Sequence, residues 1–251
     1  MSNNGGIFGM IMTYNCAAFL EHTYNILPKE LFDSIVIVDD GSSDDIEPVA
    51  KRLGIPFYPH AHGGYGTNLK FGLKKCAELG ANVIVEIHGD GQFTSSIPDA
   101  LARMKEGYDL VLGNRFYDLR QPRRDGMSWI RYIGNSMLSG LGGIVLGIRP
   151  QDLFTGFRVY SKRLAEGSDF AVTSEDYFFS FEIIAMARYA NLRIAHVPAR
   201  SFYNQAHTSI SLWKGFLEIA QTPYTLMLYL LACVGIRLGI FRSKIVRAPR
   251  A

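Results

Sequence analysis

The feature that most limits how this 251-residue chain can fold is the alternation of short apolar runs with helical patterns through its first 115 residues. Runs near 7–13, 34–39, 55–59, 82–87 and 109–113 have the length and β-branched content of strands, and stretches near 17–27, 44–53, 65–80 and 97–106 have helical periodicity. Strands this apolar are buried on both faces, so the alternation predicts a mostly parallel sheet with helices on both sides. Pro98, with Ser95 or Ser96 as cap, marks a helix start. Further along, Trp129, Ile130, Ile133, Met137 and Leu141 form one stripe of a helix near 128–146, with Arg131 and Asn135 on another face. The polar segment Tyr117 to Gly126 and the Gly-rich run Gly140 to Gly147 read as breaks, the first as a lid. A chain of this length with 48% hydrophobic residues builds one large α/β domain and a tail.

Chemistry concentrates where the predicted strands end. After Asn82-Val83-Ile84-Val85-Glu86-Ile87 comes His88-Gly89-Asp90-Gly91-Gln92, with potential metal ligands at alternate positions. In extended backbone such residues point to one side, so His88, Asp90 and Gln92 suit a cation and a diphosphate, with Gly89 and Gly91 leaving room for ligand. A polar turn after a strand is the other reading. The strand Ser34–Val38 runs into Asp39-Asp40-Gly41-Ser42-Ser43-Asp44. Carboxylates at that end of an open α/β sheet face the ligand crevice and suit ribose hydroxyls or a base N–H, and the Gly-Ser-Ser-Asp run suits a turn and a helix cap. Thr13-Tyr14-Asn15, closing the first strand, offers a ring and an amide to a nucleobase.

In this order the pieces resemble the nucleotide-binding half of the family 2 glycosyltransferases, and within them the polyprenyl-phosphate sugar transferases related to dolichol-phosphate mannose synthase. His62-Gly63-Gly64-Tyr65-Gly66-Thr67-Asn68 is similar to the family's Asn-x-Gly-Tyr-Gly segment, Gly113-Asn114-Arg115-Phe116 to its Gly-Ser-Arg-Tyr strand, and Asp152-Leu153-Phe154-Thr155-Gly156-Phe157-Arg158 to its Asp-x-x-Ser-Gly-Phe-Arg loop. The resemblance runs from about residue 7 to about residue 215. It implies a GT-A fold, the Rossmann-like nucleotide-diphospho-sugar transferase architecture. Residues 1–115 then form the nucleotide-sugar half and 116–215 the acceptor half, with 216–251 a C-terminal helix and basic tail.

The activity so implied is inverting, metal-dependent transfer from a UDP- or GDP-sugar to a polyprenyl phosphate, assisted by Mg²⁺ or Mn²⁺. Thr13, Tyr14, Asn15, Asp39, Asp40, Asn68, Lys70 and Gly89 are then donor-binding, and His88, Asp90 and Gln92 metal-binding. His88 replaces the first Asp of the family's metal motif; an imidazole suits Mn²⁺ better than Mg²⁺, and His88 touches either the metal or only the sugar. Lys70 or Arg115 assists the leaving diphosphate. Arg115, Arg131, Arg158 and Arg200 are implied to meet the acceptor phosphate, Arg158 being also a candidate structural ion pair, and Glu182 to position. An acceptor phosphate needs no strong base, whereas a sugar hydroxyl needs a carboxylate, for which Asp152 and Asp176 are the candidates. The loop from Val197 lacks the Lys and Gly of many relatives, which leaves the acceptor open to a glycan in cell-envelope polysaccharide assembly.

Other classes are set against this reading. A dinucleotide-binding oxidoreductase requires Gly-x-Gly-x-x-Gly after the first strand, and Met12-Thr13-Tyr14-Asn15 has no glycine. A silent sugar-nucleotide-binding scaffold explains the missing Asp and predicts binding without turnover. The net charge of +3 makes no case for nucleic acid. Cys16, Cys76 and Cys233, few and scattered, with a start lacking a leader pattern, point to reduced thiols and a cytoplasmic protein, peripheral at the inner face of the membrane. Thr222-Pro223 reads as a helix start, and the uncharged run to Ile236 is shorter than the ~20 residues a span needs. With Arg237, Arg242, Lys244, Arg247 and Arg250 following, that helix rests on an anionic membrane, forms a homo-oligomer interface or packs on the core ahead of a disordered tail.

Overall fold

The computed structural model describes residues 6–89, 91, 94–201, 203 and 212–249. The elements run β1 (Gly6–Thr13), α1 (Ala17–Ile26), β2 (Ser34–Asp39), α2 (Ile46–Leu53), β3 (Phe57–Pro59), α3 (Tyr65–Glu78), β4 (Ala81–His88), α4 (Ile97–Lys105) and β5 (Leu110–Asn114). They continue as α5 (Gln121–Arg124), α6 (Trp129–Leu146), β6 (Arg158–Ser161), α7 (Lys162–Gly167), α8 (Phe179–Tyr189), β7 (Ile194–Pro198) and α9 (Leu212–Cys233). One sheet of seven strands has the order β3-β2-β1-β4-β6-β5-β7. Only β6 is antiparallel to its neighbours, β4 and β5.

The two-residue period of β1 divides the core. Met10 and Met12 join Val36, Val38, Leu69, Phe179 and Phe181 on one face, while Ile11 joins Ile37, Val85, Ile87, Leu20 and Leu101 on the other. Both faces are therefore dry, as the unbroken apolar runs of β2 and β4 demand. After β3 the chain crosses back past β1 to lay down β4, so the order reverses at β1 and opens a crevice at the carboxyl ends of β2, β1 and β4. The register pairs Thr13 with Asp39 and Met12 with His88, setting these motifs along one rim.

Two sequence expectations change. The run Gly140 to Gly147 is not a break: α6 passes through it and ends at Gly147, which takes the left-handed conformation at φ 63°. A Cβ on Gly142 would lie 2.7 Å from the Leu153 side chain and one on Gly143 2.5 Å from Pro150, so these glycines let the helix press on the loop before β6. Nor does a helix start at Thr222-Pro223, for α9 already runs from Leu212 and carries Pro223 inside it. The carboxyl end packs on the core. Leu226, Leu228, Ala232, Phe241 and Ala248 are buried, and Ala248 N–H donates to Ala190 O at 2.7 Å, so the basic segment through residue 249 lies against the domain. Among the described residues no helix is long and apolar enough to cross a membrane.

Candidate active site

At the β1–β2 rim the two acids brace loops. Asp39 accepts from the Thr13 hydroxyl at 2.8 Å and from the Ser42 N–H and hydroxyl at 2.8 and 2.6 Å. Asp40 accepts from the N–H groups of Gly63 and Gly64 at 2.8 and 3.0 Å, and its Oδ2 lies 2.9 Å from His62 Nδ1. Both acids are almost fully buried. The expectation that they meet ribose or base directly is therefore corrected: their oxygens are spent inside the protein, clamping the loops that follow β1 and precede α3. Asn15, at φ 49°, accepts from Ser43 N–H at 2.9 Å, and Asp44 accepts from Ala17 N–H at 2.8 Å. The cap expected from the Gly-Ser-Ser-Asp run thus serves α1, across the rim, rather than the helix that follows it. Asn68 is buried beneath, donating to Thr13 O at 3.3 Å and accepting from His60 Nε2 at 3.0 Å. Tyr14 stands exposed at this rim, stacked on His62 with ring centroids 4.5 Å apart.

At the end of β4 a tight turn forms, in which Gly91 N–H donates to His88 O at 3.0 Å and Gly91 sits at φ 74°. Gly89 is glycine because of the neighbouring strand: a Cβ there would lie 2.6 Å from Cys16 Sγ and 3.1 Å from Met12 O. His88 turns its Nε2 inward, 2.7 Å from Gly156 O and 3.3 Å from Glu86 Oε1. Glu86, wholly buried, also accepts from the hydroxyls of Tyr160, at 2.6 Å, and Tyr65. Burial alone would raise its pKa, but the hydrogen bond and charge of His88, the Arg158 guanidinium and the Tyr160 hydroxyl hold it below the usual value. With Nε2 engaged, His88 reaches no metal through that atom. Asp90 and Gln92 lie outside the described residues, among which no group of three His, Cys, Asp or Glu side chains is arranged to hold a metal. Their chemistry, one carboxylate and one amide oxygen, is the hard-oxygen set that Mg²⁺ and Mn²⁺ accept.

The third wall comes from the loop before β6. Arg115 grips Asp152 through both carboxylate oxygens, Nε to Oδ2 at 2.6 Å and a terminal nitrogen to Oδ1 at 2.9 Å, and also donates to Phe154 O at 3.0 Å and the Tyr203 hydroxyl at 2.7 Å. Asp152 has no exposed surface, and the N–H groups of Arg115 and Phe154 fill its remaining lone pairs. The expected base is thus drawn inward to anchor Arg115, whose own pKa is raised because the cost of burial is outweighed by the pairing with Asp152. Asp176 is exposed on the rim, with Oδ1 accepting from Phe178 N–H at 2.9 Å.

Lys70 departs from its expected place at a phosphate: its ammonium donates to the carbonyls of Thr173 and Ser174 at 3.4 and 3.2 Å, while Glu182 accepts from Ser174 N–H at 2.7 Å. Together they pin residues 173–174. Burial lowers the Lys70 pKa and raises that of Glu182. The pinned loop presses on the start of α3, where a Cβ on Gly66 would lie 2.7 Å from two carbonyl oxygens, those of Ser174 and Asp176. A cleft of about 490 Å³ opens between Gly63 and the run Ala171–Asp176.

The arginines expected at an acceptor phosphate separate. Arg158 is 1% exposed with an unpartnered Nε, inside the Glu86 cluster and off the surface, so it belongs to the buried charge network. Arg200 pairs with Asp125 at 2.5 Å and, with Tyr203 N–H donating to Asp125 O at 3.0 Å, straps the 117–126 segment to the strand-end loop. Arg131 is half-buried in the first turn of α6, whose Ser128 cap accepts from Arg131 N–H at 3.4 Å. Sequence reasoning passed over Glu86, Tyr65, Tyr160, His62 and Tyr203. The signal for the first was present, a lone acid inside the apolar run 82–87.

The comparisons with known proteins follow the same lines. The model of "Glycosyl transferase family 2" matches residues 10–167. A UDP-N-acetylglucosamine–dolichyl-phosphate N-acetylglucosaminyltransferase of Methanococcus voltae is 26% identical over 223 residues, 79% of this chain and 86% of that protein. An undecaprenyl-phosphate mannosyltransferase of Micrococcus luteus is 28% identical over 211 residues, 76% and 82% of the two chains. Among solved structures, glucosyl-3-phosphoglycerate synthase of Mycobacterium tuberculosis, crystallised with Mn²⁺, UDP-glucose and phosphoglyceric acid, superposes with a TM-score of 0.67 at 19% identity, covering 94% of this chain and 81% of that one. This likeness carries the fold.

Proposed function

The chain belongs to glycosyl transferase family 2, and from that premise we propose that it transfers a sugar, with inversion, from a uridine diphosphate sugar to a polyprenyl phosphate at a membrane surface. The observation that carries the acceptor is the Arg115–Asp152 clamp. The Asp152 carboxylate, one of the two candidate bases, is buried, neutralised and filled, which favours an acceptor that is already an anion and needs no base. The relatives named for dolichyl- and undecaprenyl-phosphate transfer support the same class, and the UDP-sugars of the Methanococcus relative and the solved structure support a UDP-sugar donor.

In this reading the turn after β4 receives the diphosphate. Asp90 and Gln92 hold a divalent cation that neutralises the charge developing on the departing phosphate. Tyr14 and the braced 13–17 and 39–44 loops receive the nucleoside, preorganised by the Asp39, Asp40 and Asp44 hydrogen bonds. Arg115, fixed by Asp152 and Phe154 O, supplies positive charge beside the acceptor loop, and Arg131, at the start of α6, meets the acceptor phosphate. A lipid acceptor fits the outer face of α6, where Ile130, Ile133, Met137 and Ile144 stand exposed at helical spacing, beside α9 with exposed Tyr224, Met227 and Leu230. A peripheral protein at the inner face of the membrane follows.

The test is transfer of label from a radiolabelled UDP-sugar with and without a polyprenyl phosphate. Label moving only to the lipid supports the proposal. Label moving to a glycan replaces the acceptor and returns Asp176 to the role of base, and binding without transfer to anything overturns turnover itself.

A further inference from the structure

We infer that His62 reads the base of the donor: its Nε2 accepts a hydrogen bond from the ring N–H of uracil, a group that guanine also presents and cytosine and adenine do not. This rests on the nucleotide-sugar reading above. A base N–H needs an acceptor at the surface, and the two acids of the rim no longer offer one. Asp39 is filled by Thr13 and Ser42, Asp40 by Gly63, Gly64 and His62, and both lie beneath the loops. His62 sits above them, its side chain 54% exposed.

Two contacts settle which nitrogen of that ring faces outward as an acceptor. Nδ1 lies 2.9 Å from Asp40 Oδ2 and 3.1 Å from Asp40 O, and both of those oxygens only accept. Nδ1 therefore carries the proton, and the neutral ring keeps its lone pair on Nε2. The stack on Tyr14, 18° from parallel, fixes the plane of the ring. Asp40 thus acts on the base through His62: the buried carboxylate sets the tautomer, and the imidazole carries the acceptor to the surface. Toward cytosine the same edge sets lone pair against lone pair, which turns a modest attraction into discrimination.

The experiment is calorimetric binding of UDP, CDP, GDP and ADP with Mn²⁺ to the wild-type chain and to His62→Phe, which keeps the stacked ring and removes both nitrogens. Circular dichroism checks that the variant is folded. UDP should bind wild type about tenfold more tightly than CDP, and GDP more tightly than ADP, the two preferences shrinking to within about threefold in the variant. An unchanged UDP-to-CDP ratio in a variant that still binds UDP overturns the role of His62 alone. No binding of any nucleotide to wild type overturns both this role and the donor reading. A second readout needs no variant: the ¹⁵N resonance of His62 Nε2 should shift on adding UDP but not CDP.

Discussion

Exchanging His88 for the aspartate common in the family is expected to weaken this protein, because the negative charge of the motif has moved down the strand. Glu86 is wholly buried, and His88 Nε2 stands 3.3 Å from it. A carboxylate at position 88 removes that partner and sets a second anion over the first. Two like charges about 4 Å apart repel by about 4 kcal/mol at an effective dielectric of 20, and removing one partner of a buried pair costs about 3–5 kcal/mol. Arg158 and the Tyr65 and Tyr160 hydroxyls remain around Glu86, and protonation of one acid caps the penalty, so His88→Asp should lose about 3 kcal/mol. Urea unfolding followed by circular dichroism at neutral pH measures it, and thermal unfolding should fall by roughly 6–12 °C. Glu86→Gln combined with His88→Asp should recover at least half of the loss. If His88→Asp unfolds at the wild-type midpoint, or the double variant is no more stable than the single one, Glu86 does not explain the histidine.

Three further outcomes follow from the geometry. Arg115→Lys keeps the charge but loses the fork that binds Asp152 and Phe154 O, and should lower kcat/KM by the equivalent of about 1.5–3 kcal/mol in a folded protein; wild-type kinetics would show the clamp to be idle. Gly66→Ala drives a methyl against the Ser174 and Asp176 carbonyls and should cost about 1–3 kcal/mol of stability, measured by denaturant unfolding, with no change expected only if the 173–176 loop shifts freely. His196 is half-buried and held neutral, its pKa pushed down to about 4 by burial of its ring against the opposing pull of Asp152. The unfolded chain takes up its proton near pH 6.5 while the fold resists until about 4, so stability is full above pH 6.5 and falls as pH drops between these values. About 2 kcal/mol should be lost between pH 7.5 and 5, and His196→Leu should remove that part of the slope.

The parallel half of the fold was legible because strands buried on both faces, such as Ser34–Asp39 and Ala81–His88, are short apolar runs closed by glycine and acid. What followed Asn114 was harder to read, since β6 has only four residues and is paired antiparallel by long-range contacts that no local period encodes. Gly142 and Gly143 illustrate the same difficulty: a breaker in isolation becomes a packing surface when Leu153 and Pro150 stand opposite. At the site, the sequence located the right loops but not the direction of their side chains. Asp39, Asp40, Asp152 and Lys70 all read as ligand-facing, and all four are drawn into hydrogen bonds with backbone groups or neighbouring loops. His62, an unremarked member of a glycine motif, stands at the surface above them.

The central claim is that a cation held through Asp90 secures the diphosphate of the donor at the end of β4. Calorimetric titration of UDP into wild type and Asp90→Ala, each with Mn²⁺ and with EDTA, tests it most directly. Binding to wild type should require Mn²⁺ and be lost in Asp90→Ala. UDP binding of equal strength in all four titrations would contradict it.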